Sequence, residues 1–251
     1  MDTAAPAQRE DAPLQAAPLT GIRRLSAQDT VRARIALAVD LGLLEPGERL
    51  PGNDSVASAL DVSLITVRRA LVSLCEDGVL ERRRGRSGGT FVAPRPEKGA
   101  VREISAYTAD AETVHRLIDQ RLLLECGAAH LAARAGGPVR TARLRELVDA
   151  MDEARTWADF HELDADFHRE VAAASGVPHA REELGAVLTR LHRYFLPYRM
   201  DVLRASNAEH RELLGAIEAA DADRAVRVAH RHADTLHRTM FVGLDPEPPG
   251  H

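Results

Sequence analysis

Aromatic residues make up only 4% of this 251-residue chain. That leaves too few rings for a base-stacking platform or an aromatic-rich β-sandwich core. Cysteine is almost absent: Cys75 and Cys126 are the only two and lie far apart. A disulfide scaffold and a paired-cysteine zinc site are therefore excluded, and a reducing, cytoplasmic setting is expected. No run of about 18 consecutive apolar residues occurs, so no membrane span is expected. The opening residues, MDTAAPAQREDAPLQAAPLT, lack the basic start and apolar core of a secretion signal. They read as a disordered leader over residues 1–20. The chain also lacks a positive balance, with a net charge of −5, which excludes a uniformly basic coat for nucleic acid.

The charge is unevenly placed. Residues 21–96 carry 12 arginines against 9 acids, and Ser63 to Arg95 carry 7 against 3. A basic segment joined to an acidic remainder suggests a polyanion-binding module on a larger body. In that segment, apolar residues recur at helical spacing from Ala27 to Leu43, with Ser26 as the N-cap. A Pro46-Gly47 turn leads to a short helix bearing Val56, Ala57 and Leu60. Ser63 caps a third helix ending at Gly78, and Val79–Arg83 and Thr90–Val92 read as a hairpin. Residues 96–109 read as a linker.

Helix, short helix, tight turn, helix and hairpin in that order make a winged helix-turn-helix over residues 21–95. The N-terminal residues of its third helix meet base edges in the major groove of double-stranded DNA, and a basic wing reaches phosphates or the minor groove. Ser63, Ile65, Thr66, Arg68 and Arg69 are the candidates on the helix, and Arg84, Gly85 and Arg86 those on the wing. The run from Gly42 to Pro94 resembles the GntR family of bacterial transcription regulators. It shares a Pro-Gly-x-x-Leu-Pro turn, an SxxxVRxAL recognition helix, a Gly-Val-Leu step and a Gly-Thr-Phe-Val wing. Leu64 stands where the family usually has Arg, Arg69 where it usually has Glu, and Asn53-Asp54 where many members have Glu-Arg. These departures imply an altered operator preference.

The second half reads as six helices with short joints, an antiparallel bundle over residues 110–243 followed by a disordered tail, 244–251. One of them, His179 to Leu203, is expected to bend at Pro197. The chain's 11 histidines all lie beyond residue 114. Asp164 and His168 are spaced i,i+4 on one helix face, and antiparallel neighbours can bring His210 and His232 to the same depth. Three imidazoles and a carboxylate suit a first-row divalent cation with positions left for a ligand. His230, two residues from His232, should face away, and both His230 and His237 read as solvated surface. His161-Glu162 is followed by Ala165, so no HExxH motif is present. No nucleophile elbow or phosphate loop occurs either, so no catalytic residue is assigned. Trp157 reads as helix packing.

Asp164-Ala165-Asp166-Phe167-His168, Glu209-His210-Arg211, Asp221 and His232 resemble the FCD effector domain of FadR-type GntR regulators. The resemblance implies Asp164, His168, His210 and His232 as ligands of a divalent metal, zinc foremost, with nickel or manganese as alternatives. Arg121 and Glu125 match an Arg-x-x-x-Glu of the first helix. Arg121 then either faces the effector cavity and pairs with a small carboxylate or forms an i,i+4 pair with Glu125. Val177 stands where the family usually has Asn after Ser-Gly. The resemblance implies a homodimeric, ligand-responsive repressor sensing a small organic acid. A direct metal sensor, or a metal-dependent hydrolase carrying a DNA-binding module, are the alternatives.

Overall fold

A computed structural model describes residues 25–86, 88–135 and 138–240. The expected leader and tail and Ser87 of the wing lie outside the described residues. The protein is mainly helical, with a small winged N-terminal unit and a helical C-terminal bundle. The first unit comprises α1 (Ala27–Asp40), α2 (Asn53–Leu60), α3 (Leu64–Glu76), β1 (Leu80–Arg83) and β2 (Gly89–Val92).

Local chemistry places these ends. The Ser26 hydroxyl accepts from the Asp29 amide and Ser63 from the Thr66 amide, each satisfying an orphan donor of the first turn. Gly78, at φ 74°, lets the chain leave α3 in the left-handed region. The strands pair antiparallel in the register Leu80↔Val92 to Arg83↔Gly89. At the wing tip a Cβ on Gly88 would lie 2.5 Å from the Arg83 carbonyl oxygen, so only glycine fits there. Val31, Ile35, Val56, Val67, Leu74 and Val92 close the core of this unit, all essentially inaccessible.

The stretch expected as a linker instead contains a helix, α4 (Glu103–Thr108), packed on α1. Apolar anchors hold it that sequence reading undervalued: Val101 and Tyr107 are buried. An ion pair from Arg32 of α1 to Glu103, at 2.8 Å, fixes its start.

The bundle comprises α5 (Ala111–Ala135), α6 (Pro138–Glu153), α7 (Trp157–Ala174), α8 (Ala180–His192), α9 (Met200–Glu218) and α10 (Ala222–Thr239). α5 packs against α7, α8, α9 and α10, and α6 covers α7 and α9. Trp157 is buried in this packing, as expected.

The single bent helix expected over His179–Leu203 is two helices. α8 stops at His192, and α9 starts at Met200. Pro197 lacks an amide donor and pushes Leu196 out of helical geometry, so the helix breaks rather than bends.

That break builds the joint between the two units. Arg34 of α1 is 3% exposed, and among the described residues its hydrogen-bond acceptors are carbonyls of the broken segment. Its Nε donates to Phe195 O at 2.6 Å and its Nη2 to His192 O at 3.2 Å. A cation at the C-terminal end of α8 meets the negative end of the helix dipole. Tyr107 donates to Arg193 O at 3.2 Å, and the His192 ring lies 2.9 Å from Ala59 O of α2. Residues 192–195 are thus held by α1, α2 and α4 together.

Candidate functional site

Two surfaces carry candidate chemistry. On α3, Ser63, Ile65, Arg68 and Arg69 are exposed, Ile65 to 61%, and Thr66 is half-buried. Val67, Ala70, Leu71 and Leu74 form the opposite face and hold the helix to its core. Ser63 is partly spent on its own helix, because its hydroxyl caps the Thr66 amide and lies 2.8 Å from the Thr66 hydroxyl. Arg84, Gly85 and Arg86 are exposed on the wing. Arg83, by contrast, stacks its guanidinium 4.2 Å above the Phe91 ring, which braces the hairpin. If α3 enters the major groove, Arg68→Ala and Arg69→Ala each weaken operator binding. A base contact costs about 1–3 kcal/mol and relaxes specificity; a phosphate contact gives a uniform loss with a shallower salt slope. Binding isotherms at several salt concentrations distinguish them, and unchanged binding in both variants would take α3 out of the interface.

The second surface is inside the bundle. α7, α9 and α10 bring Asp164, His168, His210 and His232 together, with one ligand atom from each lying within 4.8 Å of every other. His168 and His210 are each 1% exposed. The Asp164 carboxylate is 3.3 Å from His210 Nε2 and 3.8 Å from His168 Nε2. His210 Nε2 lies 3.3 Å from His232 Nε2.

The outer nitrogens explain this convergence. His168 Nδ1 faces the Glu125 carboxylate at 3.1 Å. His232 Nδ1 faces the Glu209 carboxylate at 2.9 Å. His210 Nδ1 is 3.2 Å from the Asn207 side-chain oxygen. The Asn207 amide nitrogen donates to Val148 O and Asp152, so its oxygen is the end turned to His210. Carboxylate and amide oxygens only accept, so each Nδ1 carries the proton and each Nε2 presents an unprotonated lone pair inward. Burial lowers the pKa of His168 well below the usual imidazole range and of His210 to about 3, which keeps both neutral. For Asp164, burial opposes ionisation, but the charge of the neighbouring Arg121 helps hold the carboxyl below its usual range.

Three unprotonated imidazole nitrogens and a carboxylate facing one point repel one another unless an electron-poor group lies among them. Metal–ligand bonds of about 2.1 Å set neighbouring donors roughly 3–4 Å apart, which suits these separations. The residues therefore fit a divalent metal ion, and Glu125, Asn207 and Glu209 are the outer partners that orient such ligands. Sequence reading missed Asn207 and the role of Glu209. Their signal was local: Asn207 is one turn before His210, and Glu209 adjoins it.

One cation already reaches the cluster. Arg121, 2% exposed, donates from Nε to Glu125 at 2.7 Å and from Nη2 to His168 Nε2 at 2.7 Å. The i,i+4 pair with Glu125 is therefore present. Arg121 and Asp164 line a cavity of about 1230 Å³ that opens between the two units, bounded also by Arg34, Ala59, His161, His192 and Phe195. An ion bound by His168 Nε2 competes with Arg121 for one lone pair.

His230 is exposed, as expected of a residue turned away from His232. His237 is not solvated surface. It stacks on His115 with ring centres 5.0 Å apart, and its Nε2 is 3.1 Å from Asp119. α5 and α10 bring these residues together, 118 to 122 positions apart in sequence.

Among the described residues, no helix is long and apolar enough to cross a membrane. Residues 27–92 match the family described as bacterial regulatory proteins, gntR family, and residues 116–235 match the FCD domain. The chain is 32% identical over 240 residues to a Mycobacterium gastri protein provisionally named HTH-type transcriptional regulator RmpR, covering 93% of this chain and 86% of that one. It is 29% identical over 245 residues to an Escherichia coli protein provisionally named L-lactate dehydrogenase operon regulatory protein, covering 87% of each. A solved Streptococcus agalactiae GntR structure aligns with 24% identity and a TM-score of 0.46, covering 85% of this chain and all of that one. With the winged unit matching the one domain and the histidine-bearing bundle the other, this chain belongs to the GntR family of DNA-binding transcriptional regulators and carries an FCD domain.

Proposed function

We propose that this regulator is a repressor released from its operator by a small organic acid bound at a metal centre. Residues 21–95 form its DNA-binding module and 110–243 its effector domain. The observation that carries this reading is the convergence of three unprotonated imidazole nitrogens and the Asp164 carboxylate beside a cavity. A divalent ion there supplies a Lewis-acidic anchor for a carboxylate. The protein's own residues do the rest. Asp164, His168, His210 and His232 hold the ion, with zinc as the first choice, and Arg121 offers a cation to the bound acid.

The cavity gives the coupling a physical route. Its walls include Arg34, Ala59 and His192, the residues that join the two units. A ligand that favours one arrangement of this joint by a few kcal/mol changes DNA affinity accordingly. We also infer a homodimer, since one winged module per chain matches a pseudo-palindromic operator of two half-sites.

A second reading, the ion itself as signal, draws on the hydrogen bond from Arg121 to His168 Nε2, which an incoming ion displaces. DNA-release titrations separate the two. For an acid sensor, zinc alone leaves the complex intact and zinc with a small carboxylate releases it. Release by zinc alone assigns the signal to the ion. No release under either condition overturns both.

A further inference from the structure

His161 belongs neither to the four-residue cluster nor to a motif. It sits on α7 one turn before Asp164, and His161, Asp164, Ala165 and His168 share a helix face by their i, i+3, i+4, i+7 spacing. The first three line the cavity, and His168 lies deeper, behind it. Among the described residues, His161 Nε2 is buried without a hydrogen-bond partner. Buried polar atoms are nearly always partnered, and an orphan on a cavity wall points to a group that enters the cavity. The ring is otherwise held by packing, with centres 5.1 Å from Phe195 and 5.8 Å from His192. Burial lowers its pKa to about 4, so the neutral ring has one N–H to donate.

From this placement we infer that His161 binds the far end of the effector and selects an acid bearing a second carboxylate about four bonds from the first. The inference rests on the acid-sensor reading above. The reason is distance. Three residues of helix advance about 4.5 Å, so His161 stands one turn further along the cavity than Asp164. Carbon–carbon bonds of about 1.5 Å advance an extended chain roughly 1.25 Å each, so four bonds span about 5 Å. A three-carbon hydroxy acid held at the metal end stops short of His161. A five-carbon dicarboxylate reaches it. Its far end then lies against the ring that packs on His192 and Phe195, the two residues whose carbonyls hold Arg34. One ligand thereby touches both the metal end and the joint to the DNA-binding unit.

The test uses full-length, zinc-loaded protein and three probes: lactate, glutarate and pentanoate, the last as long as glutarate but without the distal carboxylate. Calorimetry on the wild type should show glutarate preferred over pentanoate by about tenfold, a typical value for one charge-assisted hydrogen bond. His161→Phe keeps the ring packing and removes the nitrogens. It should abolish that preference, leave lactate affinity unchanged and retain the wild-type zinc content by elemental analysis. Equal wild-type affinity for glutarate and pentanoate, or a preference that survives in His161→Phe, overturns the role of His161 and leaves the acid sensor standing. Loss of zinc in His161→Phe makes the residue a support of the cluster instead, which also overturns it. If the wild type binds none of the three acids, the acid-sensor reading falls and this inference with it.

Discussion

His168→Ala should strip most of the divalent metal from the purified protein, whereas His230→Ala should leave the content at the wild-type level. His168 is a firmly anchored member of the cluster. It is 1% exposed, its Nδ1 faces Glu125, and its Nε2 points at the other donors. Alanine there removes one ligand of four and leaves Glu125 without the imidazole it orients. Loss of an outer partner alone typically costs 10–100-fold in metal affinity, and loss of the ligand costs more. Asn207→Ala, which deletes the partner of His210 Nδ1, should therefore fall between the two. Elemental analysis after equilibration against a defined zinc buffer reads all three variants. Equal metal in His168→Ala and the wild type would sink the site. Equal losses in His168→Ala and His230→Ala would mean that the ion is held elsewhere on α10.

Arg121→Ala is the second large effect, and it falls on stability. Arg121 and Glu125 are 2% and 3% exposed, and among the described residues one oxygen of Glu125 has no hydrogen-bond partner. Removing the guanidinium strands a buried carboxylate, a change that costs about 3–5 kcal/mol. At about 2–4 °C per kcal/mol for a chain of this size, the melting temperature should fall by roughly 10 °C. Arg121→Met combined with Glu125→Gln removes both charges, keeps an acceptor for His168 Nδ1 and should recover most of the loss. A thermal melt of the single and double variants checks this. A loss under about 1 kcal/mol in the single variant would show that water from the cavity solvates Glu125 once Arg121 is gone. Because Arg121→Ala perturbs the fold, Arg121→Lys, which retains the charge, is the better probe of its role toward a bound acid.

Local information carried much of this architecture. Ser26, Ser63 and Gly78 marked helix ends because capping depends on a few neighbouring atoms. The hairpin was legible in β-branched and glycine-rich residues around an arginine-rich tip. The spacing of Asp164 and His168 placed both on one face because a helix repeats every 3.6 residues. Only the tertiary structure could bring His210 and His232 to the same point, since three helices and their rotations decide that meeting. The same holds for the tautomers, because Glu125 and Asn207 set them through contacts that a linear reading cannot rank. The segments 96–109 and 193–199 looked like a linker and a bend, for the same reason. Few apolar residues are enough to hold α4 when α1 offers a partner, and Pro197 broke the helix where Arg34 could donate to the freed carbonyls of His192 and Phe195. Short-range chemistry thus determined which elements form. Packing over long sequence separations decided that they enclose a metal-competent cluster, a cavity and a joint in one continuous path.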